Sequence, residues 1–270
     1  MVDFRTIGVL GCGNMGAALV RALSASGTAA PEDIFVYDTL PHAMVALKKE
    51  VGVQTVVQAH DLPLHSDVLI LAVKPQIFHH IAPGLKPKSG PKEKVVISVM
   101  AGVTSDSIRP HFPPDWSVVR VMPNLPLSMG EGATAIEVDG HGEAILLLVE
   151  RLFNAAGRTV RVAGHQMDAV TGLSGSGPMY VFEFLEGMIL AGVKAGLSRE
   201  TASTLVLQNV KGSLKLLGSG KDEPSHWTAK VCSPGGTTIH ALHVLEASGF
   251  KGILIAAVEA AAARAKALSG

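Results

Sequence analysis

The chain has 270 residues with 23 basic and 23 acidic side chains, so its formal net charge is zero. That length suits one large or two ordinary domains with a substantial core, and the balanced charge argues against nucleic acid as the main partner. Hydrophobic residues make up 47% but aromatics only 4%, which implies an aliphatic, alanine-rich interior of closely packed helices.

Met1–Arg5 runs at once into a strand pattern, so no signal or transit peptide is expected. Thr6–Leu10 is a predicted strand and Met15–Ser26 a helix stopped by Gly27; Ile34–Tyr37 and His42–Glu50 repeat the pair. Val68–Ala72, Val95–Val99 and Val118–Met122 follow as apolar runs, then Ala133–Val138, the helix Glu143–Ala155, and Thr159–Val162. Continuous apolar strands alternating with helices predict a doubly wound, mostly parallel α/β sheet covered on both faces. Past Gly164 the strand signal disappears, and Met179–Ala195, Glu200–Leu217, Thr238–Ala247 and Lys251–Leu268 read as helices. We therefore expect a dinucleotide-binding domain over 1–164 and an all-α substrate-binding and dimerisation domain over 165–270. Helices apolar on most sides must be buried, and so small a domain has little interior to hide them, so a homodimer or higher homo-oligomer is expected. Gly252–Ala263 is broken by Glu259 and is too short to span a membrane; a cytoplasmic protein with neither membrane nor nucleic-acid partner is expected.

Gly11-Cys12-Gly13-Asn14-Met15-Gly16 is a G-x-G-x-x-G placed directly after the first strand and opening the first helix. Its glycines permit a tight turn and close approach to a pyrophosphate resting on the helix N-terminus. Asp38 ends the second strand, where a carboxylate can accept hydrogen bonds from an adenosine ribose and repel a 2′-phosphate, which favours NADH over NADPH. The alternative is that Asp38 only caps the next turn. Ala72-Val73-Lys74-Pro75 and Met100-Ala101-Gly102 lie at carboxyl ends of strands, the edge where such sheets bind ligands. Lys74 is either a ribose or phosphate contact or a solvated loop lysine. Asn124, set in Met122-Pro123-Asn124-Leu125-Pro126, is on a stiff loop that can reach the nicotinamide end.

Ser233-Pro234-Gly235-Gly236-Thr237-Thr238 reads as a second anion-binding loop, since it runs into a helix whose first N–H groups lack partners. Its plainer reading is a Pro/Gly turn with a threonine N-cap. No metal site is expected. Cys12 and Cys232 form no metal cluster or disulfide scaffold, and the close pairs His79-His80 and His240/His243 read as surface or packing residues. No paired carboxylates or Ser-His-Asp order is evident. A hydride acceptor that is already cationic, such as an iminium, needs little acid from the protein, whereas a ketone needs a proton donor.

Together with Arg120-Val121-Met122-Pro123-Asn124, Thr171-Gly172-Leu173-Ser174-Gly175-Ser176-Gly177-Pro178 and Val231-Cys232 before the Ser233 loop, these motifs resemble pyrroline-5-carboxylate reductase. The resemblance spans almost the whole chain and continues through Ile239–Glu246. It implies a Rossmann domain followed by a helical domain that interlocks with a second subunit, with the active site between subunits. It also implies reduction of Δ1-pyrroline-5-carboxylate to L-proline with NADPH or NADH as hydride donor. Leu10, Gly11, Cys12, Gly13, Asn14, Met15, Ala72, Val73, Lys74, Pro75, Met100, Ala101 and Gly102 would then wrap the cofactor. Ser233, Gly236, Thr237 and Thr238 would hold the substrate carboxylate, and Thr238 would lie near the ring nitrogen as proton donor or hydrogen-bonding partner. Lys230 departs from the acidic or amide residue that family members often carry there, which removes the side-chain contact to the nicotinamide expected from that position. Two other readings remain: a β-hydroxyacid-type dehydrogenase, whose catalytic lysine would have to be Lys194 or Lys211, and a dinucleotide-binding sensor without turnover.

Overall fold

Short runs of valine, isoleucine and leucine form the centre of the sheet, because residues that are branched and apolar on both faces suit a strand covered on both sides. A computed structural model describes residues 4–85, 93–218, 220 and 223–269; Met1, Val2 and Asp3 of the N-terminal stretch lie outside them. The strands are β1 (Ile7–Leu10), β2 (Ile34–Tyr37), β3 (Gln54–Thr55), β4 (Val68–Leu71), β5 (Val95–Ser98), β6 (Ser117–Met122), β7 (Gly132–Glu137) and β8 (Gly157–Val162). Among the described residues they form one sheet in the order β3-β2-β1-β4-β5-β6-β7-β8. Neighbours from β3 to β6 are parallel; β7 runs antiparallel to β6, and β8 parallel to β7. Every residue of β1, β4 and β5 is buried.

The first helices are α1 (Asn14–Ala25), α2 (Pro41–Val51), α3 (Leu62–His65), α4 (Pro75–Ile81), α5 (Ser105–Ile108), α6 (Glu143–Asn154) and α7 (Met167–Val170). Leu19, Leu23, Leu47, Val149 and Phe153 of α1, α2 and α6 join one apolar core with Val9 and Val36 of the strands. Leu62, Phe78 and Ile108 of α3, α4 and α5 join a second with Leu10 and Leu69. Successive residues of a strand face opposite ways, so the two cores are the two faces of one doubly wound sheet. Lys94 is buried just before β5, where it donates to the carbonyls of Pro63 and Ser66 and lies 5.5 Å from the Trp116 ring centre.

Helices α8 (Gly177–Lys194), α9 (Arg199–Gly218), α10 (Pro224–Val231), α11 (Thr237–Ala247) and α12 (Phe250–Ser269) complete the chain. The long ones match their expected ranges to within a residue or two. The sequence pattern gives no element at α10, whose Pro224 stands in the first turn, where its missing N–H costs no helix hydrogen bond.

The chain packs as two compact units, Met1–Ser176 with Ala260–Gly270, and Gly177–Glu259. The packing break therefore falls later than residue 164. Met167 is fully buried, and Asp168 and Ser174 make their contacts with β6 and the loop after it, which binds 164–176 to the sheet. In the second unit α8, α11 and α12 border an apolar groove of about 530 Å³ lined by Tyr180, Phe184, Met188, Leu245, Phe250 and Leu254. Phe182, Phe184, Leu190, Ile253 and Ile255 are exposed. Among the described residues no single helix is long and apolar enough to cross a membrane; α11 and α12 pass on length and composition only as a pair bent by 46°.

Candidate active site

Strand β1 lies between β2 and β4, so the chain reverses its direction of winding there and opens a crevice at the carboxyl edge of the sheet. Five segments singled out from the sequence meet along that edge: Leu10–Met15 after β1, Asp38 after β2, Ala72–Pro75 after β4, Met100–Gly102 after β5 and Asn124 after β6.

The three glycines of the first loop do different jobs. Gly11 has φ +104°, and a Cβ there would lie 2.6 Å from the Ala72 carbonyl oxygen. At Gly16 a Cβ would sit 1.9 Å from the Gly11 oxygen, so this residue allows α1 to start hard against the turn. Around Gly13, beyond its own chain neighbours, no atom of the described residues lies within 4 Å of a Cβ position. Gly13 is the N-cap of α1, with extended backbone, and no side chain caps the first-turn N–H groups. The first and third glycines are required by the protein itself. The second is required by nothing in the chain, which is the cradle a dinucleotide pyrophosphate needs.

Asp38 closes this cradle. Its Oδ2 accepts the Cys12 N–H at 2.7 Å and its Oδ1 the Leu40 N–H at 2.8 Å. It does cap the following turn, as the plainer reading held, yet the same carboxylate is fixed beside the glycine loop. The Cys12 thiol is pushed up to about 12 by burial, with the Asp38 charge adding to it, so it stays a neutral packing group.

Lys74 is exposed and is the N-cap residue of α4, with Pro75 behind it. Met100 is buried, its N–H donating to Ser98 Oγ at 3.3 Å, and Gly102 at φ +71° lets Leu268 approach where a Cβ would be 2.8 Å away. Asn124 braces its own loop: Oδ1 accepts the Ala133 N–H at 2.9 Å and Nδ2 donates to Ser174 Oγ at 3.4 Å.

The second loop lies in the other unit, between α10 and α11. Gly235 takes φ +67°, and the Gly236 N–H donates to the Ser233 carbonyl at 3.1 Å. A Cβ on Gly236 would fall 2.3 Å from Ser233 Oγ, which can turn aside, so the left-handed Gly235 is the glycine this turn requires. The threonine N-cap of the plainer reading is not found. Gly236 is the N-cap, no side chain satisfies the helix start, and Thr237 and Thr238 stand in the exposed first turn of α11. Lys230 folds back over the indole of Trp227, with Nζ 4.5 Å from the ring centre. Lys194 and Lys211 are exposed on α8 and α9, and both close histidine pairs are exposed. Among the described residues no three His, Cys, Asp or Glu side chains form a cluster that could hold a metal.

Sequence reasoning gave no role to Arg120 or Asp168. The signal was a lone arginine inside the otherwise apolar strand Val118–Met122. It is buried, and its Nη2 lies 3.9 Å from Asp168 Oδ1.

The family model described as pyrroline-5-carboxylate reductase dimerisation matches residues 164–268, and that of the coenzyme F420-dependent NADP oxidoreductases matches 6–102. The chain is 39% identical over 263 residues to the pyrroline-5-carboxylate reductase of Synechocystis, covering 97% of each protein. A pyrroline-5-carboxylate reductase structure from Coxiella burnetii superposes with a TM-score of 0.91 at 32% identity, covering 99% of this chain and 100% of that one. The Plasmodium falciparum pyrroline carboxylate reductase with NADP bound gives 0.87 at 32% identity, covering 98% of both chains.

Proposed function

Since the chain belongs to the pyrroline-5-carboxylate reductase family, we propose that it reduces Δ1-pyrroline-5-carboxylate to L-proline, the last step of proline biosynthesis. NAD(P)H, when bound, supplies the hydride that adds to the imine carbon. The observation that carries this reading is the pairing of two uncapped helix starts, at Gly13 and at Gly236, each behind a glycine turn. One suits a pyrophosphate and the other a carboxylate.

The residues divide the work. Leu10–Met15, Asp38, Ala72–Pro75, Met100–Gly102 and Asn124 hold and orient the cofactor at the sheet edge. First-turn N–H groups of Thr237 and Thr238 and the hydroxyls of Ser233, Thr237 and Thr238 hold the substrate carboxylate, with Gly236 closing the turn beneath it. The protonated imine already carries the positive charge that draws the hydride, so the nitrogen keeps its proton as the C=N bond becomes C–N. Thr238 supplies a hydroxyl near that nitrogen to orient the ring or return a proton.

Asp38 supports a preference for NADH, because its fixed carboxylate suits a free 2′-hydroxyl and repels a 2′-phosphate. The exposed aliphatic faces of α8 and α12, with the dimerisation model over 164–268, support a homodimer or larger homo-oligomer built through the helical part. On this reading 1–164 carries the cofactor and 165–270 the substrate and the subunit contacts. Both cysteines are free, as a reducing compartment would leave them, which supports a cytoplasmic setting that cell fractionation tests.

Purified protein mixed with the imine and either NADH or NADPH should oxidise the cofactor and form proline. Absence of both signals across the pH range rejects the reading. A ratio of kcat/KM values favouring NADPH rejects the cofactor preference alone.

A further inference from the structure

We propose that Arg120 and Asp168 are positioning residues for hydride transfer, clamping the end of β6 to the π turn Thr171–Gly175. The proposal rests on the reductase reading above. Arg120 stands beside Ser98 in the last parallel pair between β5 and β6, and Ser98 receives the Met100 N–H of the cofactor-edge loop. Its side chain is buried and faces Asp168 of α7 across 3.9 Å, and among the described residues neither Arg120 Nη2 nor Asp168 Oδ1 has a hydrogen-bond partner.

Two further ties join the same segments. Met122 Cε packs where Gly175 has no side chain, 2.7 Å from the place a Cβ would take. Asn124 Nδ2 reaches Ser174 Oγ at 3.4 Å. Arg120, Met122 and Asn124 are alternate residues of one extended stretch, and Asp168, Ser174 and Gly175 belong to one short helical stretch. The three contacts therefore act as successive teeth between them.

An ion pair at this distance, with Arg120 buried and Asp168 half-buried, contributes little net stability, because the desolvation of Arg120 offsets the attraction. Its placement accounts for it better. The clamped stretch carries the Pro123–Pro126 loop at the ligand edge, and Gly177, the first residue of the second unit, leaves directly from the clamped turn. A π turn is a wide, poorly packed helical ring that recurs at functional sites and needs outside support to keep one geometry. The Arg120–Asp168 pair supplies that support from the sheet.

The test uses the full-length protein. In Arg120→Lys and Asp168→Asn, kcat per folded molecule should fall about 10- to 100-fold, the scale of a displaced reacting group. The Kd for NAD(P)H should stay within about threefold, since no pyrophosphate contact changes. The isotope effect with 4-deuterated cofactor should rise, and amide exchange in 171–175 should quicken. Leu146→Ala, a core change on α6, serves as a stability control that lowers Tm without either effect. If these variants do not fold, Ser174→Ala removes one outer tie and should show the same pattern on a smaller scale. Unchanged kcat in the variants that fold, or equal exchange gains at 171–175 in Leu146→Ala, overturns the proposal. If the wild type itself leaves the imine untouched, the functional reading fails, and exchange at 171–175 alone decides whether the clamp exists.

Discussion

The Asp38 carboxylate accepts the backbone N–H of Cys12 at 2.7 Å, so the tip of β2 is fastened to the glycine loop between β1 and α1. The same side chain thus shapes the cradle and, on the proposed reading, carries the charge that would meet an adenosine ribose.

Asp38→Ser should raise the NADPH to NADH ratio of kcat/KM by ~10- to 100-fold, equivalent to ~1.4–2.8 kcal/mol. Because the Cys12 N–H loses its acceptor, affinity for NADH should fall as well. Steady-state kinetics with both cofactors measures the two effects, and an unchanged ratio means the 2′-position is read elsewhere.

Gly13→Ala and Gly16→Ala should part company. The Gly13 Cβ meets only open space, so Tm should stay within about 3 °C of wild type while the KM for cofactor rises ~10-fold or more. The Gly16 Cβ would strike the Gly11 carbonyl, so that variant should lose about 3 kcal/mol of stability before any question of binding arises. Thermal melts beside cofactor titrations separate them, and equal losses of stability would contradict the assignment.

Thr238→Ala should lower kcat/KM for the imine ~10- to 1000-fold, the scale of losing one or two hydrogen bonds to a charged group. Thr238→Ser keeps the hydroxyl and should retain most of the activity. A Thr238→Ala enzyme that matches wild type removes this residue from the mechanism.

Asp67 couples stability to acid. Burial alone would raise its carboxyl pKa, but the N–H groups of Thr6 and Arg5, the Thr6 hydroxyl and the nearby Lys94 hold it below the ordinary 3.8. The folded value is the lower one, so the stabilisation is fully present above about pH 4 and disappears as pH falls through the folded value. Asp67→Asn should cost roughly 1–2 kcal/mol at pH 7, allowing for partial solvent screening, and flatten the acid limb. Urea melts in a series from pH 7 downwards should show a gap between wild type and variant that narrows as the pH falls below about 4.

Phe184→Glu places a charge in the groove bordered by α8, α11 and α12. It should weaken self-association about 100-fold or more while the first unit keeps its cofactor affinity. Light scattering across a concentration series reads the change, and an unaltered assembly would move the subunit contact to another surface.

The glycine loop, Asp38 and the Ser233 loop could be read from the chain because each rests on short-range chemistry: a turn, a charge at a strand end, an uncapped helix. What stayed hidden depends on contacts distant in sequence. Strand β3 is two residues long and exists by pairing with β2. Helix α10 follows a polar, glycine-bearing run over 218–223 that masks its start, although Pro224 marked it. Residues 164–176 carry no strand pattern, so their attachment to the sheet through Met167 and Asp168 had no periodic signature. The cap is Gly236 and not the threonine of the plainer reading, because the left-handed turn at Gly235 leaves an extended Gly236 immediately before the helix. Lys230 stood out as an unusual residue, but only the structure shows it resting on Trp227.

The greasy stripe along α8 and α12 has a consequence during synthesis. Phe182, Phe184 and Leu190 leave the ribosome before Ile253 and Ile255 exist to share their environment, and they remain uncovered in the finished single chain. If the proposed dimer covers them, a newborn molecule has to meet another copy before it meets the wrong surface. Slow, cool expression or a holding chaperone should raise the recovered yield more than any change near the cofactor edge.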